Sequence, residues 1–394
     1  MFMRVPAVNV YYLVSALHEF TSEFPYVSYF LFRNLGLGYT FLYAAISTLV
    51  FGVFDYPTGG LADRFGRRRV YAFGFALLGL NYLLVALFAH PFTVALAGIL
   101  LGFGRALQSG SLEAWITDEL GEMKMTEELD LVFGRGTSFG LIGDVSAGLA
   151  GSIVTYALGY WWTIPIAGIV ALVTSCLTVV LVSENWGEDK SKKYVELLKE
   201  GGKLISSRKS LLFLGLAQTF FMAGLYSYWE TLAPVYGERG IPESLFGLIG
   251  AAMHLPAVIA TGYVHRLTRK IGVAKTALVT SWIWTGFCTL AMFLVDPNVT
   301  IALVITLETV VATRYPILSF WQNKLIPSGV RATVLSGLST MQHVAESLVL
   351  FALSPFVQTQ GTMWGFASAV ILTVISNLVL LVVRKNNQLR SIDH

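Results

Sequence analysis

The sequence contains about a dozen apolar runs, each near the roughly 20 residues that an α-helix needs to cross a bilayer. Short polar breaks separate these runs, which cover residues 7–31, 39–59, 70–89, 92–116, 134–157, 160–183, 210–234, 243–264, 273–294, 299–322, 334–357 and 362–383. With 55% hydrophobic and only 13% charged residues, the chain is too apolar for a soluble protein of its length. The pattern therefore predicts an all-α integral membrane protein with twelve transmembrane helices.

The positive charges are distributed unevenly over the breaks between the predicted helices. If the amino terminus lies in the cytoplasm, nearly all of the 27 Lys and Arg residues fall on the cytoplasmic side. Arg33 and Arg239 fall outside, and Arg105 and Arg314 lie within predicted helices. The positive-inside rule thus predicts a multi-pass protein of the cell membrane with both termini in the cytoplasm. The net charge of +3 follows from this topology, and we expect no nucleic-acid partner.

A glycine-rich and basic stretch, from Asp55 to Arg69, joins predicted helices two and three. Pro57 and the pair Gly59–Gly60 are expected to end helix two, because both residue types weaken helices. The stretch then reads Gly-x-x-x-Asp-Arg-x-Gly-Arg-Arg, formed by Gly59, Asp63, Arg64, Gly66, Arg67 and Arg68. This pattern resembles the loop signature of the major facilitator superfamily. The preceding Asp-x-Pro-Thr-Gly, which begins at Asp55, is similar to a variant found in many prokaryotic members.

The resemblance implies a fold of two six-helix bundles related by pseudo-two-fold symmetry. It further implies a cytoplasmic charge cluster that latches the two halves together when the central cavity opens outward, formed by Asp63, Arg67, Asp118 and Arg135. Asp55, Gly59, Arg64, Gly66, Arg68 and Arg331 are assigned to the same cytoplasmic gate. We expect one bundle in residues 1–183, a cytoplasmic linker with a surface helix in 184–209, and a second bundle in 210–394.

Echoes of the first half recur in the second half at an offset of about two hundred residues, as a duplicated six-helix unit would produce. The stretch from Thr261 to Lys270 aligns with the stretch from Gly59 to Arg68. In this alignment His265 occupies the position of Asp63. The repeat favours two bundles of similar construction.

Polar residues within the predicted helices are candidates for function, since a charge in lipid costs at least about 2.5 kcal/mol. In the first helix a polar stripe with spacings of four and three predicts a single face, made by Ser15, Glu19, Ser22, Tyr26, Tyr29 and Arg33. In the fourth helix Arg105, Ser109 and Glu113 follow an i, i+4, i+8 row. In the fifth helix Asp144 lies among glycines that let another backbone approach closely.

These residues predict a cavity for protons and solute between the helices, whereas helices three, six, nine and twelve have no charged residue in their apolar cores. Its expected residues are Glu19, Glu23, Arg105, Glu113, Asp144, Tyr226, Trp229, Glu230, Glu308, Arg314, His343 and Glu346. Acids outnumber bases in this set, so it favours a proton or a cation over an anion. Glu19, Asp144 and Glu346 are the expected proton or cation carriers.

The sequence therefore predicts a secondary active transporter that works by alternating access with proton coupling. We expect efflux by antiport of a small organic solute with cationic or amphipathic character, carried out by a monomer in the lipid bilayer. We expect no metal and no cofactor. No His-Glu-x-x-His, Gly-x-Ser-x-Gly or phosphate-binding glycine loop occurs, so we expect no enzymatic activity.

Several alternatives share this composition. An uncoupled facilitator would have the same fold. An organic-anion transporter would use Arg105 and Arg314 as its ligands. A membrane-embedded enzyme without these motifs and a receptor that transports nothing also remain open at the level of sequence.

Overall fold

The computed structural model describes residues 6–23, 26–186, 209–326 and 331–385, and in these ranges the chain is almost entirely helical, without a β-strand. The helices, in chain order, are α1 (Pro6–Glu23), α2 (Val27–Leu35), α3 (Leu37–Phe65), α4 (Arg67–Leu87), α5 (Pro91–Gln108), α6 (Ser111–Glu122), α7 (Leu129–Leu158), α8 (Thr163–Leu181), α9 (Lys209–Glu238), α10 (Phe246–Ile271), α11 (Val273–Phe293), α12 (Pro297–Leu325), α13 (Arg331–Gln360) and α14 (Thr362–Lys385). Short 3-10 helices, Thr126–Glu128, Tyr160–Trp162 and Glu243–Leu245, precede α7, α8 and α10.

Every predicted span coincides with one helix or with two consecutive helices. Nine segments of the described chain are long and apolar enough to cross a membrane. The predicted spans outside this set are α1 with α2, α12 and α13, which carry Glu19, Glu308 and Glu346. The all-α membrane fold is therefore confirmed, and the total of twelve spans stays a prediction for these three.

The chain divides into two compact units. Unit 1 contains the described residues within 1–35, 42–190 and 242–251, and unit 2 contains those within 36–41, 191–241 and 252–394. In unit 1, α4 packs against α5 and α8, and α1 packs against α7. In unit 2, α9 packs against α13 and α14, and α11 packs against α12 and α14. The domain boundaries expected at 183 and 210 stay predictions, and most of the linker, with its predicted surface helix, lies outside the described residues.

The end of α3 differs from the sequence prediction, because neither Pro57 nor Gly59–Gly60 ends the helix. The helix continues to Phe65 with Pro57 inside it, and the turn is made by Gly66 at a φ of 98°, where glycine is favoured. The hydroxyl of Thr58 donates to the carbonyl oxygens of Asp55 at 2.9 Å and Ala106 at 2.7 Å. The second of these bonds joins α3 to α5 directly after Pro57.

The same turn recurs in the second half of the chain. Gly272 lies between α10 and α11 at a φ of 84°, as Gly66 lies between α3 and α4. The helices that follow these two glycines both have 21 residues, and α7 and α13 both have 30. Pairing Gly66 with Gly272 corrects the predicted alignment, since Arg269, one helical turn after His265, then occupies the position of Asp63.

Two predicted polar rows are interrupted in the structure. The first breaks where α1 ends at Glu23 and α2 begins at Val27, so Ser15 to Arg33 is not one continuous helical face. The second breaks after Gln108, where Gly110 adopts a φ of 69°. The prediction of an unbroken row from Arg105 to Glu113 is therefore wrong, because a left-handed glycine ends one helix and α6 starts a new one.

The first turn of α10 is held by side chains that are distant in sequence, all within unit 1. The backbone N–H of Gly247 donates to the Tyr26 hydroxyl at 2.8 Å, and the N–H of Leu248 donates to the Ser152 hydroxyl at 2.8 Å. Any side chain at Gly247 would overlap the backbone of Gly148. The first N–H groups of a helix have no partner within it, so this helix start depends on groups from other elements.

The helices α1 and α7 contact each other through a face of small residues on α7. A methyl group added at Gly136 would overlap the ring of Tyr11, and one added at Gly143 would overlap the carbonyl oxygen of Ala16. At Gly140 an added methyl carbon would lie 3.2 Å from the Cγ atom of Glu19. The predicted close approach of another backbone to the glycines around Asp144 is confirmed.

Replacing Gly143 by alanine is expected to destabilise the protein by about 1–3 kcal/mol, because the added methyl group overpacks the contact between α1 and α7. Gly134→Ala is the matched control on the same helix, since a methyl group there meets nothing within 4 Å. The control is expected to gain about 0.5–1 kcal/mol, as alanine replaces glycine within a helix. Thermal unfolding of the purified protein in detergent measures both. Shifts of the same sign would contradict the tight packing of α1 on α7.

Candidate functional site

A cavity of about 430 Å³ lies inside unit 1 and is referred to below as the unit 1 cavity. Side chains from α1, α3, α4, α5, α6 and α7 form its wall. It brings together four residues predicted from the sequence, namely Glu19, Arg105, Glu113 and Asp144. Its volume falls in the range of roughly 300–1,000 Å³ that is typical of sites for small molecules.

The charged groups of the unit 1 cavity are mostly acidic. Glu19, Glu113 and Asp144 contribute three carboxylates, whereas Arg105 contributes the one guanidinium among the described lining residues. The guanidinium of Arg105 lies 5.4 Å from the centroid of the Phe51 ring, within cation–π distance. A concave site lined mainly by one sign of charge concentrates ions of the opposite sign. Acidic groups are in excess over basic groups among the described lining residues of the cavity.

The interruption between α5 and α6 lies at the wall of this cavity. Ser109 and Gly110, which connect the two helices, both line it. The carbonyl end of α5 and the N–H end of α6 both lie at this break, so the opposite partial charges of two helix ends meet at the cavity wall. Non-helical backbone at membrane depth is tolerated where it lines a polar cavity, which accounts for a break at this place in the span.

Several polar residues of the cavity were missed as site residues in the prediction, among them His18, Tyr71 and Gln108. His18 places its Nδ1 atom 3.2 Å from the hydroxyl of Tyr71, and its ring lies 5.8 Å from that of Phe75. Gln108 is the third, at the end of α5. A histidine inside an apolar helix was a usable signal for His18. Gln108, a polar residue within a predicted span and next to Ser109, was a signal of the same kind, whereas Tyr71 lies among ordinary helical residues.

Unit 2 pairs several other predicted residues. The indole N–H of Trp229 donates to Oε1 of Glu308 at 2.8 Å, and the rings of Tyr226 and Trp229 pack edge to face with centroids 5.5 Å apart. Nδ1 of His343 lies 3.0 Å from Oε2 of Glu346, whose side chain is fully buried.

The remaining predicted cavity residues, and Arg331 of the predicted cytoplasmic gate, lie on the same helices or at helix ends. Arg314 is buried on α12, with its guanidinium 3.6 Å from the centroid of the Phe221 ring. Glu230 is half-buried on α9. Glu23 ends α1 and Arg331 begins α13, and their side chains are outside the described part of the structure. A single cavity formed by residues of both units stays a prediction.

Arg67 is the centre of a charged group that we call the Arg67 cluster, made by Asp63, Arg67 and Asp118. Only 8% of Arg67 is exposed. Its guanidinium contacts Asp63 at 3.2 Å, forms an ion pair with Asp118 and donates to the carbonyl oxygen of Ala114 at 2.8 Å. Three of the four residues expected in the charge cluster are therefore together. The fourth, Arg135, has an exposed side chain on α7.

Glu184 forms a second charged contact beside the Arg67 cluster, with Arg68 and Arg69, and was not predicted. Its carboxylate lies 3.4 Å from Nε of Arg68 and 3.3 Å from Nε of Arg69, and it accepts a hydrogen bond from the backbone N–H of Arg68 at 3.0 Å. An acid at the first turn of α4 is favoured by the partial positive charge there. A side chain at Gly66 would overlap this carboxylate, so the glycine is needed both for its φ and for space.

Comparison with known proteins supports the same reading of the fold. Residues 11–239 match the family model described as Major Facilitator Superfamily. The chain is 24% identical over 310 residues to the uncharacterized MFS-type transporter YxaM of Bacillus subtilis (strain 168), covering 75% of each chain. It is 23% identical over 349 residues to a molybdate-anion transporter of Xenopus tropicalis, covering 84% of this chain and 75% of that one. A mutant form of the nucleoside transporter NupG matches the structure with a TM-score of 0.79 at 14% identity, over 96% of this chain and 99% of that chain.

Replacing Arg67 by alanine is expected to lower stability by about 1–3 kcal/mol, because two carboxylates and a carbonyl lose their shared donor. Half-exposed acids recover part of this loss through water. Arg67→Lys keeps the charge but loses the planar fork, and should lie in between. Arg64→Ala is the control, since Arg64 is exposed on the same turn and should shift stability by no more than about 0.5 kcal/mol. Equal losses in Arg64→Ala and Arg67→Ala, by thermal unfolding, would show that the cluster does not stabilise the fold.

Proposed function

The chain belongs to the major facilitator superfamily, and on this premise we propose that it is a proton-coupled secondary transporter that exports a small organic cation. Membership makes the protein a membrane transporter of a small solute and not an enzyme. The sign of the solute charge, the coupling ion and the direction of transport are the proposed parts. Each rests on the residues of the unit 1 cavity and on the buried acid of unit 2.

The observation that carries the proposal is the excess of carboxylates in the unit 1 cavity. Glu19, Glu113 and Asp144 face the same space as a single arginine. An organic cation or an amphipathic solute with a cationic group gains attraction from these acids, while an anion meets repulsion from them. The aromatic ring of Tyr71 in the same wall adds a surface on which an apolar part of the solute can pack.

Proton coupling follows if the proton and the cation compete for the same carboxylates. When Glu19 or Asp144 takes up a proton from the outside, the cavity loses negative charge and its affinity for the cation falls. When the proton leaves into the cytoplasm, the negative charge and the affinity return. Because binding linkage is reciprocal, each ligand displaces the other. An inward proton gradient would then drive the cation outward, which is antiport.

Glu346 is the proposed third proton carrier. Its carboxylate is fully buried and lies 3.0 Å from the imidazole of His343. The two groups together can hold one proton while the pair stays neutral, which suits a low-dielectric environment where a net charge is costly. This pair belongs to unit 2 and gives that unit its own exchangeable proton.

We also propose that the Arg67 cluster acts as the cytoplasmic gate that the superfamily resemblance implies. In unit 1 it joins the end of α3, the start of α4 and α6 through Asp63, Arg67 and Asp118. Charges of this kind keep helix ends together while remaining able to exchange partners. The latch between the two halves of the chain rests on the resemblance, since the ion pairs of the Arg67 cluster all lie within unit 1.

Transport of an anion is the second candidate function. Arg105 lines the unit 1 cavity, and one relative is a molybdate-anion transporter. In this alternative, Arg105 and Arg314 would hold the solute and the acids would have a structural or coupling role. An uncoupled facilitator, by contrast, would transport its solute without regard to an imposed pH gradient.

Glu19→Gln and Asp144→Asn are expected to reduce cation-driven proton movement about tenfold or more, within the usual range of coupling between linked ligands. The assay uses proteoliposomes that contain a pH-sensitive dye and receive ethidium as the probe cation. Glu127→Gln is the matched control, because Glu127 is an exposed acid in the 3-10 helix Thr126–Glu128. Wild-type proton movement in both cavity variants would disprove the coupling assignment.

Arg105→Gln separates the cation proposal from the anion alternative. Removing a positive charge from the cavity is expected to leave ethidium binding unchanged or to strengthen it by a few-fold. Ethidium would then no longer compete with the guanidinium of Arg105 for the carboxylates. In an anion transporter the same change would abolish binding of molybdate. Thermal-shift titration of wild type and variant with both probes provides the measurement, because a ligand raises the stability of the state that binds it.

A further inference from the structure

Gln108 presents a buried carboxamide at the wall of the unit 1 cavity. The residue is 3% exposed, and among the described residues neither its Oε1 nor its Nε2 atom has a hydrogen-bond partner. Buried polar groups in folded proteins nearly always have partners, so an exception calls for a physical explanation. The amide contains a donor and an acceptor side by side, and both are unsatisfied at the edge of a polar cavity.

The side chain of Gln108 packs tightly against α4. A methyl group added at Gly74 would lie 2.7 Å from the Cγ atom of Gln108 and 3.4 Å from its Cδ atom. The backbone that follows turns away at once, because Gln108 is the last residue of α5. The side chain is thus in close contact with α4 on one side and borders the cavity on another. Rotation of the amide toward the cavity is the movement that would satisfy its hydrogen bonds.

We infer that Gln108 is a specificity-determining residue that pairs with a carboxamide or a similar edge on the transported cation, an inference that rests on the proposed function of the cavity. A solute edge with a donor next to an acceptor would satisfy both polar atoms of Gln108 at once. An analogue that lacks the donor would leave one of them unpaired, which is a strong basis for discrimination. The acids of the cavity attract the positive charge, and Gln108 recognises the neutral polar group.

The unpaired amide of Gln108 is expected to lower the stability of the solute-free protein and to improve discrimination between solutes. In the absence of solute, the unpaired amide destabilises the folded protein, because its hydrogen bonds to water have been lost and not replaced. Replacement by an apolar residue of similar size removes that cost. Gln108→Leu should therefore raise the melting temperature of the solute-free protein while reducing its ability to distinguish solutes.

The experiment compares two probe cations of equal charge and similar shape. 1-Methylnicotinamide carries a carboxamide, with donor and acceptor, and 3-acetyl-1-methylpyridinium carries a ketone in its place, with the acceptor alone. Thermal-shift titrations of the full-length protein in detergent give the apparent affinity of each. Wild type should bind the carboxamide at least about tenfold more tightly, and Gln108→Leu should bind both probes equally. Gln218→Leu is the matched control, as Gln218 lines a separate cavity of about 100 Å³ in unit 2, and it should discriminate as wild type does.

Each outcome decides the inference. A higher solute-free melting temperature in Gln108→Leu, together with loss of discrimination, supports it. A lower melting temperature shows that the amide is a satisfied structural group, and discrimination that persists in Gln108→Leu shows that it does not contact the solute. If neither cation stabilises wild type, the assignment of a carboxamide-bearing cation is wrong. Failure of the proposed function would be seen separately, as proton movement that is indifferent to Glu19→Gln and Asp144→Asn.

Discussion

The hydrocarbon interior of a bilayer offers no hydrogen-bond partner to a polypeptide, so each backbone group must find one within the protein. This constraint accounts for the near absence of non-helical chain in the described residues and for the way helices end. Most helices that follow one another are separated by a short turn, as at Gly66 and Gly272. The break within the fourth predicted span is different, because Ser109 and Gly110 lie at a polar cavity. The polar cavity thus provides a place where non-helical backbone is tolerated within the span, and the same cavity is the candidate site.

The same solvent divides the charged residues into two kinds. Some are neutralised by specific partners, as Arg67 is by Asp63 and Asp118. Others, such as Glu19 and Glu113, face the space of the unit 1 cavity. The paired charges hold helix ends together. The acids that line the cavity are costly to keep inside an apolar protein, and packing elsewhere must offset this loss of stability. The glycine face of α7 contributes to that packing, because it brings α1 close enough to place Glu19 at the cavity wall.

The helical membrane fold could be predicted from the sequence because it depends on the length and hydropathy of local runs. The group formed by Asp63, Arg67 and Asp118 could be predicted because a loop pattern resembled that of a known family. Glu184 could not, because its contact with Arg68 joins residues 116 apart and no local pattern records it. Proline and glycine were misleading in α3, because the helix continues through Pro57 to Phe65, and Thr58, the next residue, donates to the Ala106 carbonyl of α5. Gln108 is polar within a predicted span, but its burial beside the cavity depends on the packing of α5 against α4, which no local pattern records.

The start of α10 has a consequence for the way the chain is made. Tyr26, which accepts the hydrogen bond of the Gly247 N–H, precedes it by 221 residues. At a synthesis rate of about 5–20 residues per second, roughly 10–45 s separate the appearance of these two groups. During that interval the part of unit 1 already in the membrane lacks the segment that packs on Tyr26 and Ser152, and it must keep this surface covered by lipid, water or an insertion factor. Unit 1 is therefore completed by a segment that the ribosome delivers only after the first residues of unit 2 have been made, so the two units cannot be completed strictly one after the other.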